Sequence, residues 1–281
     1  MLNTKLLWYN GQWLSANQPI FYALSRNANY ADGIFETIRV HKNKIFFWDL
    51  HFERLQKGMQ TLHLTTSPIL QSRENLQNII LELIQRNGIQ KAVKVKIQVF
   101  RREEYFESNL LEHYPEVCIY CVEEVPLRYV LEIKNVIIYD LVPLNYTVLS
   151  SLKTLQRLPY VLAAIHARQN QVSDAILLNT QGQMVECSHS NLFYIVENQI
   201  FTPPIQAACL DGTLRKILVQ QFDIQEYAFN FQEMEQIEAL FTTNVIRGIT
   251  PISFCKGVEK YFNTQHIWIR RIHHFLNTLL D

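Results

Sequence analysis

The chain has 281 residues, of which 48% are hydrophobic and 19% charged, and 26 Lys and Arg balance 26 Asp and Glu. A net charge of zero argues against a nucleic-acid partner, and the high apolar content argues against a disordered chain. The absence of any run of 18 apolar residues argues against a membrane span. This length predicts one large domain or two modest ones.

The first half of the sequence predicts an α+β unit. Asn10-Gly11 is a tight-turn dipeptide between two apolar runs, which predicts a β-hairpin. Asp49 is a candidate N-cap for the helix that follows. The predicted elements are a hairpin over 6–9 and 12–14, strands over 34–40 and 45–47, helices over 49–62 and 73–86, and strands over 92–101 and 117–125.

The second half predicts a run of short strands separated by turn signals, together with three helices. The predicted elements are a strand over 135–139, a helix over 159–169, strands over 175–179, 184–187, 192–196 and 199–202, a helix over 213–221, a strand over 240–243 and a helix over 264–280. The two halves therefore predict two α+β domains, 1–122 and 123–281.

The five cysteines have neither metal spacing nor a dense disulfide pattern. Cys118 and Cys121 lie on a predicted strand, where residues three apart face opposite sides, so we expect no shared metal and no disulfide. The nine histidines also lack metal-ligand spacing, and we expect no metal site. The first 30 residues show no apolar signal-peptide region. We therefore expect buried thiols in a reducing, cytoplasmic compartment.

Two charged side chains lie within apolar segments. Lys153 is flanked by leucines between a strand and a helix, where desolvation would lower the pKa of the amine and make it a nucleophile. Taken alone, a lysine that reaches the surface is the simpler interpretation. Glu186 interrupts the apolar strand 184–187, and a buried carboxylate requires a cationic or N–H partner.

Three further segments could hold a phosphate. The turn 211–215 opens a helix, whose first N–H groups and dipole favour an anion. Arg54 lies on a half-buried helix, as suits an arginine paired with a fixed anion. Thr243 and Asn244 offer donors at a strand end. An amine, a carboxylate for a pyridine nitrogen and donors for a phosphate are what pyridoxal phosphate requires. Nucleotide-binding glycine motifs and the GxSxG elbow are absent from the sequence.

The order and spacing of seven segments resemble the class IV aminotransferase family, the fold-type IV pyridoxal-phosphate enzymes. These segments are 30–39, 51–55, 152–158, 174–179, 186–191, 210–215 and 241–252. The resemblance covers nearly the whole chain. It implies the α+β, D-amino-acid-aminotransferase-like fold, with a small α+β domain, a larger pseudo-barrel domain and the cofactor in the cleft between them. It also implies a homodimer.

The resemblance also implies roles for single residues. Lys153 would form the Schiff base with pyridoxal 5′-phosphate and shuttle protons, and Glu186 would pair with the pyridine nitrogen. The other implied cofactor-binding residues are Arg54 and the N–H groups of Thr213 and Leu214 at the phosphate, the Asn244 loop, and Asn191 as a support for the Glu186 turn. Intact Lys153, Arg54 and Glu186 argue against a binding protein that keeps the fold without chemistry.

The motif 152–158 resembles that of 4-amino-4-deoxychorismate lyase, which releases pyruvate and 4-aminobenzoate. The branched-chain aminotransferases place a tyrosine five residues after the lysine, where this chain has Leu158. The D-amino-acid enzymes carry an RxH motif that residues 101–105 do not supply, and a tyrosine where this chain has Phe35. We therefore favour the lyase, with an amino-acid aminotransferase of the branched-chain or D-amino-acid type as the alternative.

The substrate residues are expected on two of the predicted strands. Phe35 is one candidate, and Lys96 and Arg101 align with a strand of the lyase, where two cations would suit a dicarboxylate. The glycine-rich stretch that follows this strand in the lyase is replaced by Glu103 and Glu104. Those carboxylates would repel an acidic substrate if they faced it, which is an observation in favour of the aminotransferase.

Overall fold

Two units make up the chain in the computed structural model, which describes residues 4–22, 25–64, 67–102 and 115–281. The first unit contains the described residues up to Leu127 together with Leu152–Gln156, and the second contains Arg128–Ser151 and Arg157–Asp281. Lys153 therefore belongs to the first unit, although the predicted division at 122/123 assigns it to the second domain.

The first unit is built on a six-stranded sheet in the order β2-β1-β6-β5-β3-β4, with antiparallel neighbours. Asn10 and Gly11 have φ values of 46° and 89°, as the hairpin turn requires. The elements are β1 (Leu6–Tyr9), β2 (Gln12–Ser15), α1 (Arg26–Tyr30), β3 (Gly33–His41), β4 (Lys44–Ile45), α2 (Trp48–Thr61), α3 (Pro68–Gln71), α4 (Arg73–Arg86), β5 (Val93–Phe100) and β6 (Glu116–Glu124).

The two faces of this sheet differ because strand side chains alternate. Ile34 and Ile38 of β3 and Val95 of β5 pack with residues of α2 and α4 in the larger core of the unit. Cys121 belongs to this core, whereas Cys118 packs with Leu7 and Phe100 in a separate cluster. The prediction that these two cysteines face opposite sides is confirmed.

The prediction that Asp49 caps α2 is wrong. The helix begins at Trp48, after Phe47, which has a left-handed φ of 58°. Because the chain leaves β4 through this left-handed residue, the helix begins before Asp49 and has no side-chain cap. The carboxylate of Asp49 in the first turn forms an ion pair with Arg73 instead.

The second unit contains a sheet that closes on itself. Strands β10, β13, β14, β7, β8 and β9 pair in that order, and β9 pairs again with β10. The elements are β7 (Lys134–Leu144), α5 (Leu158–Gln169), β8 (Asp174–Asn179), β9 (Met184–Cys187), β10 (Ser190–Val196), β11 (Gln199–Thr202), α6 (Thr213–Gln221), β12 (Ile224–Glu226), β13 (Ala239–Asn244), β14 (Gly248–Lys256), β15 (Lys260–Tyr261) and α7 (Ile267–Thr278). The larger domain is thus the predicted pseudo-barrel.

Strand β14 is not predicted from the sequence, because Pro251 lacks the N–H that a strand interior normally donates. In the structure β14 is central: it pairs with β13 on one side and with β7 on the other. The barrel closes only with this strand in place. Over the residues that the structure describes, no helix is both long and apolar enough to cross a membrane.

Candidate active site

Lys153 is held as an extra strand residue beside β3. The N–H of Phe35 donates to the carbonyl of Lys153 at 2.8 Å, and the N–H of Leu155 donates to the carbonyl of Gly33 at 2.9 Å. Thr154 pairs with Ile34, so it shares the face of that residue. Lys153 therefore lies on the opposite face, where its Nζ is 4.7 Å from the centre of the Phe35 ring.

A second lysine approaches the same ring. Lys96 on β5 pairs with Thr37, and its Nζ lies 4.6 Å from the centre of the Phe35 ring. Burial, and then the charge of Lys94, lower the pKa of Lys96. The structure thus brings together three of the predicted site residues, Phe35, Lys96 and Lys153, on one face of the first sheet.

Arg54 makes a bidentate ion pair within the first unit. Its Nε donates to Oε1 of Glu36 at 2.7 Å and its Nη2 to Oε2 at 2.8 Å. Nδ1 of His51 lies 2.8 Å from Oε2 of the same carboxylate. Arg54 is 7% exposed, and Glu36 and His51 are buried with it. The guanidinium plane is therefore fixed by a carboxylate that the sequence does not single out as a site residue.

The protonation states in this network follow from burial and charge. Burial raises the pKa of Glu36, but the opposite charge of Arg54 and the hydrogen bonds outweigh it, so the pKa of Glu36 is lowered. Burial lowers the pKa of His51, which keeps the ring neutral. A neutral His51 beside a carboxylate donates from Nδ1. Its buried Nε2 has no hydrogen-bond partner among the described residues.

Arg101, the other cationic candidate, contacts a different region. It donates to Oδ2 of Asp32 at 3.0 Å and to the carbonyls of Leu62 and His63 at 2.7 and 3.3 Å. It therefore ties the end of β5 to the end of α2, and its role at the substrate stays a prediction. Glu103 and Glu104 lie outside the described residues.

Glu186 lies in the barrel of the second unit, where it is 2% exposed. The hydroxyl of Tyr160 donates to its Oε1 at 2.5 Å, and the N–H of Leu210 donates to its Oε2 at 3.2 Å. The expected N–H partner is thus present. Tyr160 has no role in the predicted site, since a tyrosine on a helix gives no sequence signal of a contact with a distant strand.

The register of three strands places polar side chains in one row. Asn191 on β10 pairs with Glu186 on β9 and with Thr243 on β13. Nδ2 of Asn191 donates to the carbonyl of Leu210 at 2.8 Å, which fixes the turn before α6. The hydroxyl of Thr243 is buried without a hydrogen-bond partner in the described part of the chain.

The start of α6 borders this row. Gly212 is the N-cap and supplies no side-chain hydrogen bond to the first amides of the helix, those of Thr213 and Leu214. A Cβ at Gly212 would collide with the Asn191 side chain, so a glycine is required for this close approach. A helix beginning without a side-chain cap can offer its N–H groups and dipole to an anion.

Asn244 shapes the turn after β13. Its Oδ1 accepts from the N–H groups of Ile246 and Arg247 at 3.0 and 2.9 Å, and its Nδ2 donates to the carbonyl of His189 at 3.3 Å. Asn244 thereby ties the β13 turn to the turn that follows Glu186. In the second unit the structure brings together Glu186, Asn191, Asn244 and the beginning of α6.

A family model and several proteins of known name resemble this chain. The model of the amino-transferase class IV family matches residues 33–255. A D-alanine aminotransferase of Listeria innocua is 25% identical over 89% of this chain and 87% of its own length. A protein of Methanocaldococcus jannaschii, provisionally named branched-chain-amino-acid aminotransferase, is 24% identical over 88% of this chain and 86% of its own length.

Solved structures share the fold. The branched-chain aminotransferase of Thermoproteus uzoniensis superposes with a TM-score of 0.85 at 21% identity, covering 98% of this chain and 94% of that one. The branched-chain aminotransferase of Escherichia coli superposes with a TM-score of 0.85 at 19% identity, covering 96% of this chain and 93% of that one. A Legionella pneumophila protein, provisionally named 4-amino-4-deoxychorismate lyase, superposes with a TM-score of 0.79 at 21% identity. The match covers 94% of this chain and 97% of that one. The predicted fold-type IV, α+β class is confirmed.

Replacing Glu36 by Gln is expected to lower the free energy of unfolding at pH 7 by about 3 kcal/mol, because Arg54 is left as a buried charge without its carboxylate. The control is Glu123→Gln, which removes a half-exposed carboxylate that pairs with Lys94. The free energy of unfolding of this variant is expected to fall by less than about 0.5 kcal/mol. Urea unfolding followed by circular dichroism measures both variants. A Glu36→Gln loss no larger than the control's would contradict the role of the ion pair.

The same variant has a defined pH dependence. The pKa of Glu36 is lowered in the folded chain, so its stabilisation is complete above the ordinary value of 4.5 and is lost as the pH falls through the folded value. The difference between wild type and Glu36→Gln is therefore expected to shrink as the pH falls below 4.5. A difference that grows in acid would contradict this assignment.

Proposed function

Because the chain belongs to the class IV aminotransferases, we propose that it binds pyridoxal 5′-phosphate and transfers the amino group of an amino acid to a 2-oxo acid. The observation that carries the proposal is Glu186, a carboxylate that is 2% exposed. A buried carboxylate is unfavourable unless it is hydrogen-bonded or paired with a positive charge. A protonated pyridine nitrogen would add a positive charge to the hydrogen bonds that Glu186 accepts from Tyr160 and Leu210.

The residues of the second unit fit this cofactor. Glu186 would face the ring nitrogen, and the amides of Thr213 and Leu214 would hold the phosphate at the start of α6, where Gly212 leaves them uncapped. The hydroxyl of Thr243, which is buried and has no hydrogen-bond partner among the described residues, offers a further donor beside Asn191. Asn191 and Asn244 would act through the turns that they fix.

In the first unit Lys153 and Arg54 would serve the same cofactor. When bound, pyridoxal phosphate supplies an electron sink for a carbon that loses its proton. Lys153 would hold and move that proton at Nζ, from a backbone position that the pairing with β3 keeps in register. Arg54 would donate hydrogen bonds to the phosphate, with its guanidinium plane held by Glu36.

The names of the relatives support an aminotransferase over the lyase that the lysine motif favours. The Listeria innocua and Methanocaldococcus jannaschii relatives carry aminotransferase names and align over most of this chain. The lyase remains the second candidate because of Lys96. Its ammonium lies beside the same phenylalanine ring as that of Lys153 and would suit a second carboxylate on the substrate.

Product assays distinguish the two reactions. We expect the protein loaded with pyridoxal phosphate to form glutamate from 2-oxoglutarate and an amino-acid donor. Reaction with the L enantiomer of the donor would indicate the branched-chain type, and reaction with the D enantiomer the D-amino-acid type. Lys153→Ala is expected to reduce turnover at least about a thousandfold, since no other group replaces the covalent amine. The control Lys91→Ala alters an exposed lysine and should retain full activity.

Two results would contradict this proposal. Pyruvate and 4-aminobenzoate formed together from aminodeoxychorismate, without amino transfer, would replace the aminotransferase by the lyase. Full turnover in Lys153→Ala would contradict the role of Lys153 in either reaction.

We propose further that the protein is a homodimer in a reducing, cytoplasmic compartment. The five cysteines are unpaired and buried, which supports the compartment. Support for the dimer comes from α5, which exposes an apolar stripe at helical spacing. Leu158, Val161 and Ile165 are 66%, 49% and 44% exposed. Clustered apolar surface of this kind is typical of an interface.

A charge on this stripe tests the dimer. Val161→Glu is expected to shift the mass measured by sedimentation from dimer to monomer, because an unpaired carboxylate at an apolar interface is unfavourable. Gln232→Glu adds the same charge at an exposed position elsewhere in the second unit and should remain dimeric. A wild type that sediments as a monomer at every concentration would rule the dimer out.

A further inference from the structure

Within the second unit, the hydroxyl of Tyr160 donates a short hydrogen bond to the carboxylate of Glu186. Tyr160 lies in the first turn of α5 and is 7% exposed, and Glu186 on β9 is 2% exposed. The separation of 2.5 Å lies at the short end of the range for a hydroxyl that donates to an ionised oxygen. Both groups are removed from water, so the contact is not weakened by solvent.

The direction of this hydrogen bond follows from the two side chains. Burial, and then the negative charge of Glu186, raise the pKa of Tyr160 well above its usual range. The phenol therefore keeps its proton and donates, and Glu186 accepts as a carboxylate. The N–H of Leu210 donates to the other oxygen at 3.2 Å. Because each oxygen accepts a hydrogen bond, the plane of the carboxylate cannot rotate freely.

The tyrosine ring is itself held. The guanidinium of Arg157, at the N-cap of α5, lies 3.2 Å from the centre of the Tyr160 ring. A cation over an aromatic face is attracted to it, and more strongly where the ring is shielded from water. Arg157, Tyr160 and Glu186 thus form a chain of contacts that ends on the carboxylate.

We propose that Tyr160 is a positioning residue, which aims the Glu186 carboxylate at the ring nitrogen of the cofactor and shares its negative charge. This inference rests on the proposed function, since it takes Glu186 as the partner of that nitrogen. Through the hydroxyl of Tyr160, helix α5 would then influence how strongly Glu186 on β9 binds the cofactor.

The dissociation constant of pyridoxal phosphate tests the proposal. Tyr160→Phe keeps the ring over Arg157 and removes the hydroxyl alone. We expect about a tenfold weaker binding, comparable to the loss of other groups that orient a direct ligand, and a changed absorption spectrum of the bound cofactor.

The matched control is Tyr194→Phe. Tyr194 is also buried in the barrel, and its hydroxyl donates to the carbonyl of Met184 on the same strand as Glu186. This variant loses a buried phenol hydrogen bond of similar length without touching the carboxylate. We expect a similar decrease in melting temperature from both variants, but unchanged affinity and spectrum from Tyr194→Phe.

A double-variant cycle identifies the route of the effect. If Tyr160 acts through Glu186, then Tyr160→Phe has no further effect on cofactor affinity in a Glu186→Gln background. A second tenfold loss in that background would overturn the proposal. So would Tyr160→Phe protein that binds the cofactor with wild-type affinity and spectrum.

Failure of the proposed function has a different appearance. A wild type that does not bind pyridoxal phosphate at all would overturn that function, and this inference with it. A wild type that binds the cofactor, together with a Tyr160→Phe variant that binds it equally well, would overturn only the role of Tyr160.

Discussion

The buried carboxylate of Glu186 is the constraint on which the second unit depends. A charged group removed from water is destabilising unless hydrogen bonds or an opposite charge compensate it. The barrel places β9 so that a helix hydroxyl and a loop amide reach the two oxygens of this side chain. The same strand register brings Asn191 and Thr243 into line with it. The strand arrangement that compensates the charge of Glu186 therefore also assembles the polar row of the site.

In the first unit, the charge of the buried carboxylate of Glu36 is compensated by different groups. Glu36 is paired with the guanidinium of Arg54 and with a neutral His51, so the network carries no net charge. Its partner groups are cationic or aromatic nitrogen donors, whereas the donors on Glu186 described above are a hydroxyl and an amide. Glu36 is therefore suited to holding an arginine rigid.

One face of the first sheet carries Phe35 and the two lysines of the proposed site. Two lysines approach one phenylalanine ring, Lys96 from β5 and Lys153 from the segment that pairs with β3. Of the two, Lys153 lies in the motif that suggests a covalent amine. The other, Lys96, has a lowered pKa because it is buried. Cations in a partly dry setting attract carboxylates more strongly than cations in water. In the proposed function, Lys96 is the residue that separates amino-acid donors from a larger dicarboxylate.

The sequence by itself determined most element types, because strand alternation, helix spacing and turn dipeptides are local properties. The lysine and carboxylate motifs, with five further segments, carried the resemblance to the family. It did not predict β14, since Pro251 is locally unfavourable in a strand and only the pairing with β13 and β7 places it there. Nor did it predict that Arg54 meets Glu36 or that Tyr160 meets Glu186. Those contacts join residues 18 and 26 positions apart on different elements, and only tertiary packing decides which donor reaches which buried oxygen.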